Sequence, residues 1–168
     1  MRPRTPHRAG QRVPAAQGFV LKGALKVRVL SAIHLALYAG SRGKLGRRIA
    51  GMPVLLLTTV GRSSGRLRTV PLTYFEEGDA IVLVASYGGR PQNPAWFENL
   101  LANPEVEVRI GRERRRMRAR RASPEERARL WPRVIATYDG YRRYQEKTDR
   151  EIPLAVLSSS SPVVDSSE

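Results

Sequence analysis

The chain has 168 residues, about one domain, and contains no cysteine, which excludes disulfides, thiol nucleophiles and cysteine-ligated metal sites. Its two histidines lie in a basic tail and an apolar stretch, so no metal site is expected. The net charge of +15 is unevenly placed: residues 1–75 carry 14 basic and no acidic side chains, whereas residues 76–168 carry 16 basic and 15 acidic ones. This asymmetry indicates an anionic partner, which could be nucleic acid, an anionic membrane surface or a multiply charged ligand.

The first part of the chain is predicted to lie outside the folded domain. Residues 1–17 have the composition of a disordered basic tail, and residues 18–50 form a basic, apolar helical segment. Its uncharged run, residues 29–41, is shorter than the roughly 20 residues that a membrane-spanning helix needs. The segment therefore fits either a helix packed on the domain or one lying on an anionic membrane surface. The expected location is the cytoplasm, including the inner face of the cell membrane.

The folded domain is predicted to span residues 51–157. Asn93 is expected to cap the first helix, and Ser123 with Glu126 forms a capping box at the start of the second. Pro71 indicates an edge position or a bulge in the second strand. Residues 158–168 are predicted to be a disordered tail. The expected elements, in chain order, are strands at 53–60, 67–76 and 80–86, a helix at 93–103, strands at 105–110 and 112–122, a helix after residue 123, a short helix with three tyrosines, and a strand at 152–157.

This order of elements predicts an α+β fold, because three strands joined by short turns precede a helix and two further strands. A small, mainly antiparallel β-barrel with flanking helices accommodates that order better than a βαβ sheet does.

The turn between the first two strands, "VGRSSGRLR", contains donors suited to an anion. Gly61 and Gly65 allow positive φ, so that successive backbone N–H groups can point into one concavity. Two serines add hydroxyl groups, and Arg62, Arg66 and Arg68 add guanidinium groups that fit phosphate or carboxylate. A hairpin with a merely solvated basic turn is the alternative interpretation.

Two further segments combine glycine or aromatic residues. In "VASYGGRPQNPAWFENL" two glycines precede an aromatic helix, an arrangement compatible with a flat ring lying against the backbone or with an ordinary core helix. In "YDGYRRYQEKTDR" three tyrosines recur every third residue, so that on one helix they would form a stripe. Tyrosine suits a pocket wall because it offers an apolar face and a hydroxyl group, although such a stripe is more often core packing.

Taken together, these motifs resemble the deazaflavin-dependent nitroreductases and quinone reductases, which are split β-barrel (FMN-binding split-barrel-like) proteins using reduced coenzyme F420. The resemblance covers residues 51–156. It rests on the order and spacing of "PVLLLTTVGRSSGRLR", "ASYGG", "NPAWFENL", "ANPEVEV", "ASPEERARLWP" and "YDGYRRYQEKTDREIP". It implies an oxidoreductase that transfers a hydride from reduced F420 to a quinone, a nitroaromatic or an activated alkene.

The resemblance also implies roles for individual residues. Around the cofactor phosphate it places Arg62, Ser63, Ser64 and Arg68. Along the deazaflavin ring it places Val84, Ala85, Ser86, Tyr87, Ala95, Trp96, Phe97, Glu98, Asn99 and Tyr141. The wall facing the acceptor would be formed by Thr73, Tyr138, Tyr141 and Tyr144. Ser86 and Tyr141 are the candidates for stabilising the acceptor oxygen or relaying a proton.

Four residues depart from the pattern of many relatives: Ser63, Thr73, Tyr87 and Lys147. They leave the cofactor site largely intact and alter the acceptor pocket, so no particular substrate follows. FMN instead of F420 is an alternative cofactor, and a non-redox protein binding a lipid or cofactor is a second alternative. Specific nucleic-acid binding is not expected, because the chain has no helix-turn-helix, zinc or ribonucleoprotein motif.

Overall fold

In the computed structural model, residues 48–49 and 51–159 are described. The predicted tail at 1–17 and nearly all of the predicted segment at 18–50 lie outside these residues, as does the end of the predicted C-terminal tail. The strands are β1 (Arg48–Ile49), β2 (Met52–Val60), β3 (Leu67–Glu77), β4 (Ala80–Val84), β5 (Glu105–Ile110), β6 (Glu113–Arg121) and β7 (Leu154–Ser159). The helices are α1 (Ala95–Ala102), α2 (Pro124–Thr137) and α3 (Gly140–Glu146), with a 3-10 turn at Tyr87–Gly89.

Six of these strands close into a barrel in which every neighbouring pair is antiparallel. The order is β2-β3-β4-β7-β6-β5, and β5 returns to β2 through pairs such as Leu57 with Val108. β1 pairs antiparallel with the first residues of β2, where Arg48 lies opposite Pro53. The predicted α+β class with a split antiparallel barrel and flanking helices is therefore confirmed.

Alternation along the strands divides the apolar side chains between the barrel interior and its outer face. On β4, Leu83 points into the interior cluster, whereas Val82 and Val84 point outward beneath α2 and α3. Phe97 and Leu100 of α1 are fully buried and join the interior cluster. The barrel core therefore includes one face of α1, while the tyrosines of the chain's last third pack outside the barrel.

The start of α2 has the predicted capping box. The Ser123 hydroxyl accepts the Glu126 amide N–H at 3.2 Å, and the Glu126 carboxylate accepts the Ser123 amide N–H at 2.8 Å. Arg120 adds two hydrogen bonds to that carboxylate, of 2.6 and 2.7 Å. The Arg120 guanidinium, followed by the Ser123 amide, lowers the pKa of Glu126 to about 2.

This lowered pKa predicts a pH-dependent contribution to stability. Because the folded-state pKa lies below the unfolded one, the carboxylate stabilises the fold above about pH 5, and the contribution is lost as the pH falls toward about 2. We expect Glu126→Gln to lower the free energy of unfolding by about 0.5–1 kcal/mol at pH 7, with the difference vanishing in acid. Urea denaturation from pH 7 to pH 2 measures it. Glu146→Gln, at an exposed site without an ion pair in the described chain, is the control, and a pH-independent difference would contradict the assignment.

Several predicted boundaries differ from the structure. α1 begins at Ala95 with Pro94 as its cap, and the Asn93 side chain donates to Glu98 at 2.8 Å instead of capping the helix. β4 ends at Val84 rather than residue 86, because the chain there enters the 3-10 turn. Arg48–Ile49 form a strand inside the predicted helical segment, and β7 continues through Ser159 into the predicted tail. Pro71 lies in the part of β3 that pairs with β2 alone among the described strands, which agrees with the predicted edge position.

Candidate active site

The turn between β2 and β3 is compact and uses most of its own amides. The Gly61 carbonyl accepts the N–H groups of Ser64 and Gly65 at 3.1 and 2.8 Å, and Gly61 donates to the Arg66 carbonyl at 2.8 Å. A Cβ atom at Gly61 would lie 2.7 Å from the Ser64 hydroxyl and 3.2 Å from the Arg66 carbonyl oxygen, so a larger residue there would displace the Ser64 side chain. Gly65 has φ +64°, whereas Gly61 does not have a positive φ. The predicted concavity of successive free amides is therefore wrong, since these N–H groups already have partners.

The arginine side chains of this turn remain available for an anion. Arg62, Arg66 and Arg68 are exposed, and none of their guanidinium groups has a hydrogen bond or ion pair among the residues that the structure describes. Ser63 and Ser64 are also exposed beside them. The donor set is thus cationic and hydroxylic, without a carboxylate partner, and suits the phosphate arm of the predicted cofactor.

The arginines of β6 have a different environment. Arg114 is paired with Glu107 at 3.3 Å and Arg118 with Glu105 at 2.8 Å across the β5–β6 ladder, and Arg120 is paired with Glu126. The Arg-rich strand is therefore largely neutralised by neighbouring carboxylates. The basic turn and the basic strand have similar compositions, but most of the strand's arginines are paired with carboxylates, whereas those of the turn have no such partner among the described residues.

Asn99 joins the basic turn to α1. Its side chain is only 7% exposed, accepts the Arg62 amide N–H at 3.1 Å and donates to the Thr59 hydroxyl at 3.3 Å. The Asn99 side chain therefore positions the turn, and its contact with the cofactor stays a prediction. Glu98, the preceding residue, accepts a hydrogen bond from the Asn93 side chain.

The predicted ring-lining residues divide between two faces of the barrel wall. Ala85, Trp96 and Phe97 belong to the interior cluster, and Phe97 has no exposed surface. Val84 belongs to the outer cluster together with Tyr141. Successive residues of a strand point to opposite faces, so the side chains of Val84 and Ala85 do not line one surface. The segments come together at the rim of the barrel, where Ser86 is half-buried and Ala95 is exposed.

The loop after β4 has an unusual backbone at that rim. Tyr87 has φ +48°, which is uncommon for a residue other than glycine, and its ring lies 4.7 Å from the Arg90 guanidinium. Gly89 has φ +79°, and a Cβ atom there would lie 2.5 Å from the Tyr144 carbonyl oxygen. The loop therefore approaches α3 more closely than any other residue type would allow.

The three predicted tyrosines form a cluster, although not on one helix. Tyr138 ends α2, whereas Tyr141 and Tyr144 lie on α3, so the predicted single-helix stripe is wrong. The rings of Tyr138 and Tyr144 meet the Tyr141 ring edge to face at 5.4 and 6.1 Å. A Cβ atom at Gly140 would lie 2.2 Å from the Tyr138 ring, so glycine lets this ring pack against the backbone where the two helices meet.

Tyr141 lies at the centre of this cluster and is 5% exposed. Its hydroxyl shares a hydrogen bond of 2.8 Å with the Thr73 hydroxyl, and the Phe75 ring lies 6.1 Å from its own. Burial raises the pKa of Tyr141 above its ordinary value. The phenol therefore stays protonated at neutral pH and can act as a donor. The structure brings Thr73, Tyr138, Tyr141 and Tyr144 together, and it adds Phe75, which the sequence did not single out.

Arg150 connects the rim loop with the start of α1. Its guanidinium donates to the carbonyl oxygens of Ser86 and Arg90 and to the Asn93 side chain, at 2.9, 2.9 and 3.0 Å. Burial lowers the pKa of Arg150 from its ordinary value, because the charged guanidinium is partly removed from water. Sequence reasoning gave this residue no role, although it lies in the "TDR" motif that follows the tyrosines.

Through these contacts the candidate site runs continuously from the basic turn, past α1 and the rim loop, to the tyrosine cluster. No group of three or more His, Asp or Glu side chains in the described ranges could hold a metal ion. None of the helices in those ranges is long and apolar enough to cross a bilayer. Fold and site together describe a β-barrel protein with a candidate ligand site that is cationic at one end and aromatic at the other.

Comparison with known proteins identifies the family. Residues 30–159 match the sequence model of the F420H(2)-dependent quinone reductases. The chain belongs to this family of oxidoreductases, whose cofactor is coenzyme F420. An F420H(2)-dependent quinone reductase of Mycobacterium tuberculosis is 43% identical over 130 residues, which are 75% of this chain and 87% of that protein.

Two solved structures are also similar to this chain. An F420-H2 dependent reductase, FDR-A, is 41% identical, with a TM-score of 0.58, over 63% of this chain and 94% of its own. A second, described as a domain-swapped dimer, is 32% identical with a TM-score of 0.59, over 82% of this chain and 99% of its own.

Proposed function

We propose that this protein transfers a hydride from reduced coenzyme F420 to a quinone, with nitroaromatics and activated alkenes as further acceptors. The observation that carries the proposal is the cationic turn at residues 62–68, whose guanidinium groups have no partner among the described residues and which is attached to α1 through the Arg62–Asn99 hydrogen bond. The phosphate of an acidic cofactor needs cationic groups such as those of this turn. A flat ring needs a surface that it can approach closely, and the glycine-containing rim loop before α1 provides one. Bound F420 would supply the hydride chemistry, while the protein supplies binding, orientation and a proton donor.

The residues divide into three roles in this proposal. Arg62, Ser63, Ser64 and Arg68 bind the phosphate, with Arg66 as a further cation of the same turn. Ser86, Tyr87 and Ala95 are the rim residues with exposed surface, and we propose that they lie along the ring. Trp96 and Phe97 support that surface from within the barrel, because their side chains are buried. Thr73 and the three tyrosines form the acceptor side.

Direct titration tests the choice of cofactor. Oxidised F420 and FMN are added in turn to the purified protein, and tryptophan fluorescence is followed, with Trp96 and Trp131 as reporters. We expect quenching by F420. Quenching by FMN alone would overturn the proposal. A screen with menadione, nitroaromatics and unsaturated lactones then ranks the acceptors, and turnover of none of them would contradict the enzymatic assignment.

Ser86 and Tyr141 are proposed to place a hydroxyl group at the acceptor oxygen. We expect Ser86→Ala and Tyr141→Phe each to lower kcat with menadione about tenfold to a hundredfold, since a positioned acid commonly contributes at least that much. The dissociation constant for F420 should change less than threefold, roughly the effect of one modest hydrogen bond. Ser158→Ala, on an exposed stretch of β7, is the control. Unchanged kcat in a variant with bound F420 would remove that residue's role.

We also propose that the predicted helical segment 18–50, in its part before β1, attaches the protein to the inner, anionic face of the cell membrane. The charge of the first 75 residues supports this proposal. Sedimentation with vesicles of anionic and of neutral lipid tests it, since binding should require the anionic lipid and fall as salt rises.

A further inference from the structure

We propose that Arg150 is a positioning residue that holds the two ring-lining segments of the site, Val84–Tyr87 and Ala95–Asn99, in one arrangement. This inference rests on the proposed function, because it assigns the arrangement to coenzyme binding. The two segments are separated in the sequence by an irregular loop and belong to different elements. A single guanidinium group contacts both ends of that loop.

The first end is the exit from β4. Arg150 Nη2 donates to the carbonyl oxygens of Ala85 and Ser86 at 3.1 and 2.9 Å. Ala85 has no exposed surface, and its carbonyl would otherwise lose its hydrogen bond to water on folding. The forked guanidinium therefore satisfies two successive carbonyl groups at the point where the strand ends and the rim loop begins.

The second end is the approach to α1. Arg150 Nε donates to the Arg90 carbonyl at 2.9 Å, and Nη1 donates to the Asn93 Oδ1 atom at 3.0 Å. Asn93 in turn donates to Glu98 on α1 at 2.8 Å. The chain of contacts thus runs from Ser86 through Arg150 and Asn93 to the helix that carries the second segment.

Arg150 has no ion pair in the described part of the chain. Its guanidinium group makes only the hydrogen bonds given above among those residues. Within the loop, Gly89 donates to the Ser86 carbonyl and Arg90 to the Tyr87 carbonyl, at 2.9 and 3.4 Å. Each of these hydrogen bonds joins residues three apart in the sequence, so they close one turn and do not connect the loop to α1. A planar group with donors in several directions is required, which lysine does not provide.

The test uses Arg150→Gln and Arg150→Lys in the full-length protein, with two readouts. One is the dissociation constant for oxidised F420, and the other is hydrogen exchange at the amides of Ala85, Gly89 and Arg90 without any coenzyme. We expect both variants to weaken F420 binding at least about tenfold, as loss of charge-assisted hydrogen bonds does. We also expect about tenfold faster exchange at the three amides, because the loop opens more often.

Arg127 provides the matched control. It is also a partly buried arginine, donating to the Ile152 carbonyl at 2.8 Å and to Gln145 at 3.2 Å and pairing with Glu151 at 3.3 Å, but none of these contacts is with a residue of the rim loop. Arg127→Gln should lower the melting temperature to a degree comparable with Arg150→Gln and leave both readouts unchanged.

The outcomes separate the two proposals. Failure of the wild-type protein to bind F420 would contradict the proposed function. In that case the hydrogen-exchange rates of the Arg150 variants would be the remaining test of whether Arg150 holds the loop. If the wild type binds F420, unchanged affinity in Arg150→Gln overturns the inference whatever the exchange rates. Weaker binding with unchanged exchange also overturns it, since Arg150 would then act by direct contact. Full recovery with Arg150→Lys would assign the effect to charge rather than to positioning.

Discussion

Replacing Arg62 and Arg68 together by alanine is expected to weaken F420 binding by about a hundredfold or more, because each charge-assisted hydrogen bond to a phosphate contributes about 1.5–3 kcal/mol. Both guanidinium groups are exposed and lack an ion pair in the described chain, so their removal leaves no buried group unsatisfied. The fold should therefore remain intact, and the loss should appear in affinity alone. Fluorescence titration with oxidised F420 measures it, and thermal melting verifies the fold.

Arg114→Ala together with Arg118→Ala is the matched control for this double variant. It removes the same net charge from β6, where both side chains are paired with β5 carboxylates. If the turn recognises the phosphate directly, the control should bind F420 within about threefold of the wild type, as expected when only long-range, screened charge is changed. Equal losses in the two double variants would show that overall charge, and not the turn, attracts the cofactor.

Phe97→Ala is expected to lower the free energy of unfolding by about 3–5 kcal/mol, as truncation of a large, fully buried aromatic side chain usually does. Phe97 has no exposed surface, and its ring meets the Trp96 ring edge to face at 5.8 Å inside the barrel cluster. The motif containing this residue resembles a cofactor-lining segment, but the geometry assigns its side chain to the core. Denaturation in urea measures the loss of stability.

Phe97→Leu separates the two roles of this position. Leucine keeps most of the buried apolar volume, so we expect a smaller loss of stability and an affinity for F420 within about threefold of the wild type, roughly the effect of a modest contact. A large loss of affinity in this variant while it remains folded would mean that the ring itself contacts the cofactor. The assignment to the core would then be wrong.

Elements that depend on neighbouring residues were predictable from the sequence. The capping box at Ser123 and Glu126 requires only two side chains three residues apart, and it forms as predicted. The strands were recognised by alternation and by β-branched residues, so β2, β5 and β6 lie within about two residues of their predicted bounds, the usual uncertainty of strand ends. The family motifs in order further specified the barrel class and the cofactor.

Predictions that depended on where a side chain points were less successful. Asn93 has the sequence context of a helix cap, yet it bonds to Glu98 and Arg150, because these partners lie nearby in space. Three tyrosines at helical spacing predicted one helix, but the chain turns at Gly140 between the first and the second. The amides of the basic turn were expected to face a ligand and instead close the turn on itself.

By itself, the sequence determined the strand and helix order, the position of the basic turn, the aromatic segments and the family. These are local or cumulative signals, carried by spacing, turn residues and charge along the chain. Only the tertiary structure decided which arginines are neutralised, which of the predicted ring-lining residues are buried, and that Arg150 connects Ser86 with Asn93. Pairing and burial depend on residues distant in the sequence, and barrel closure between β2 and β5 brings such residues together.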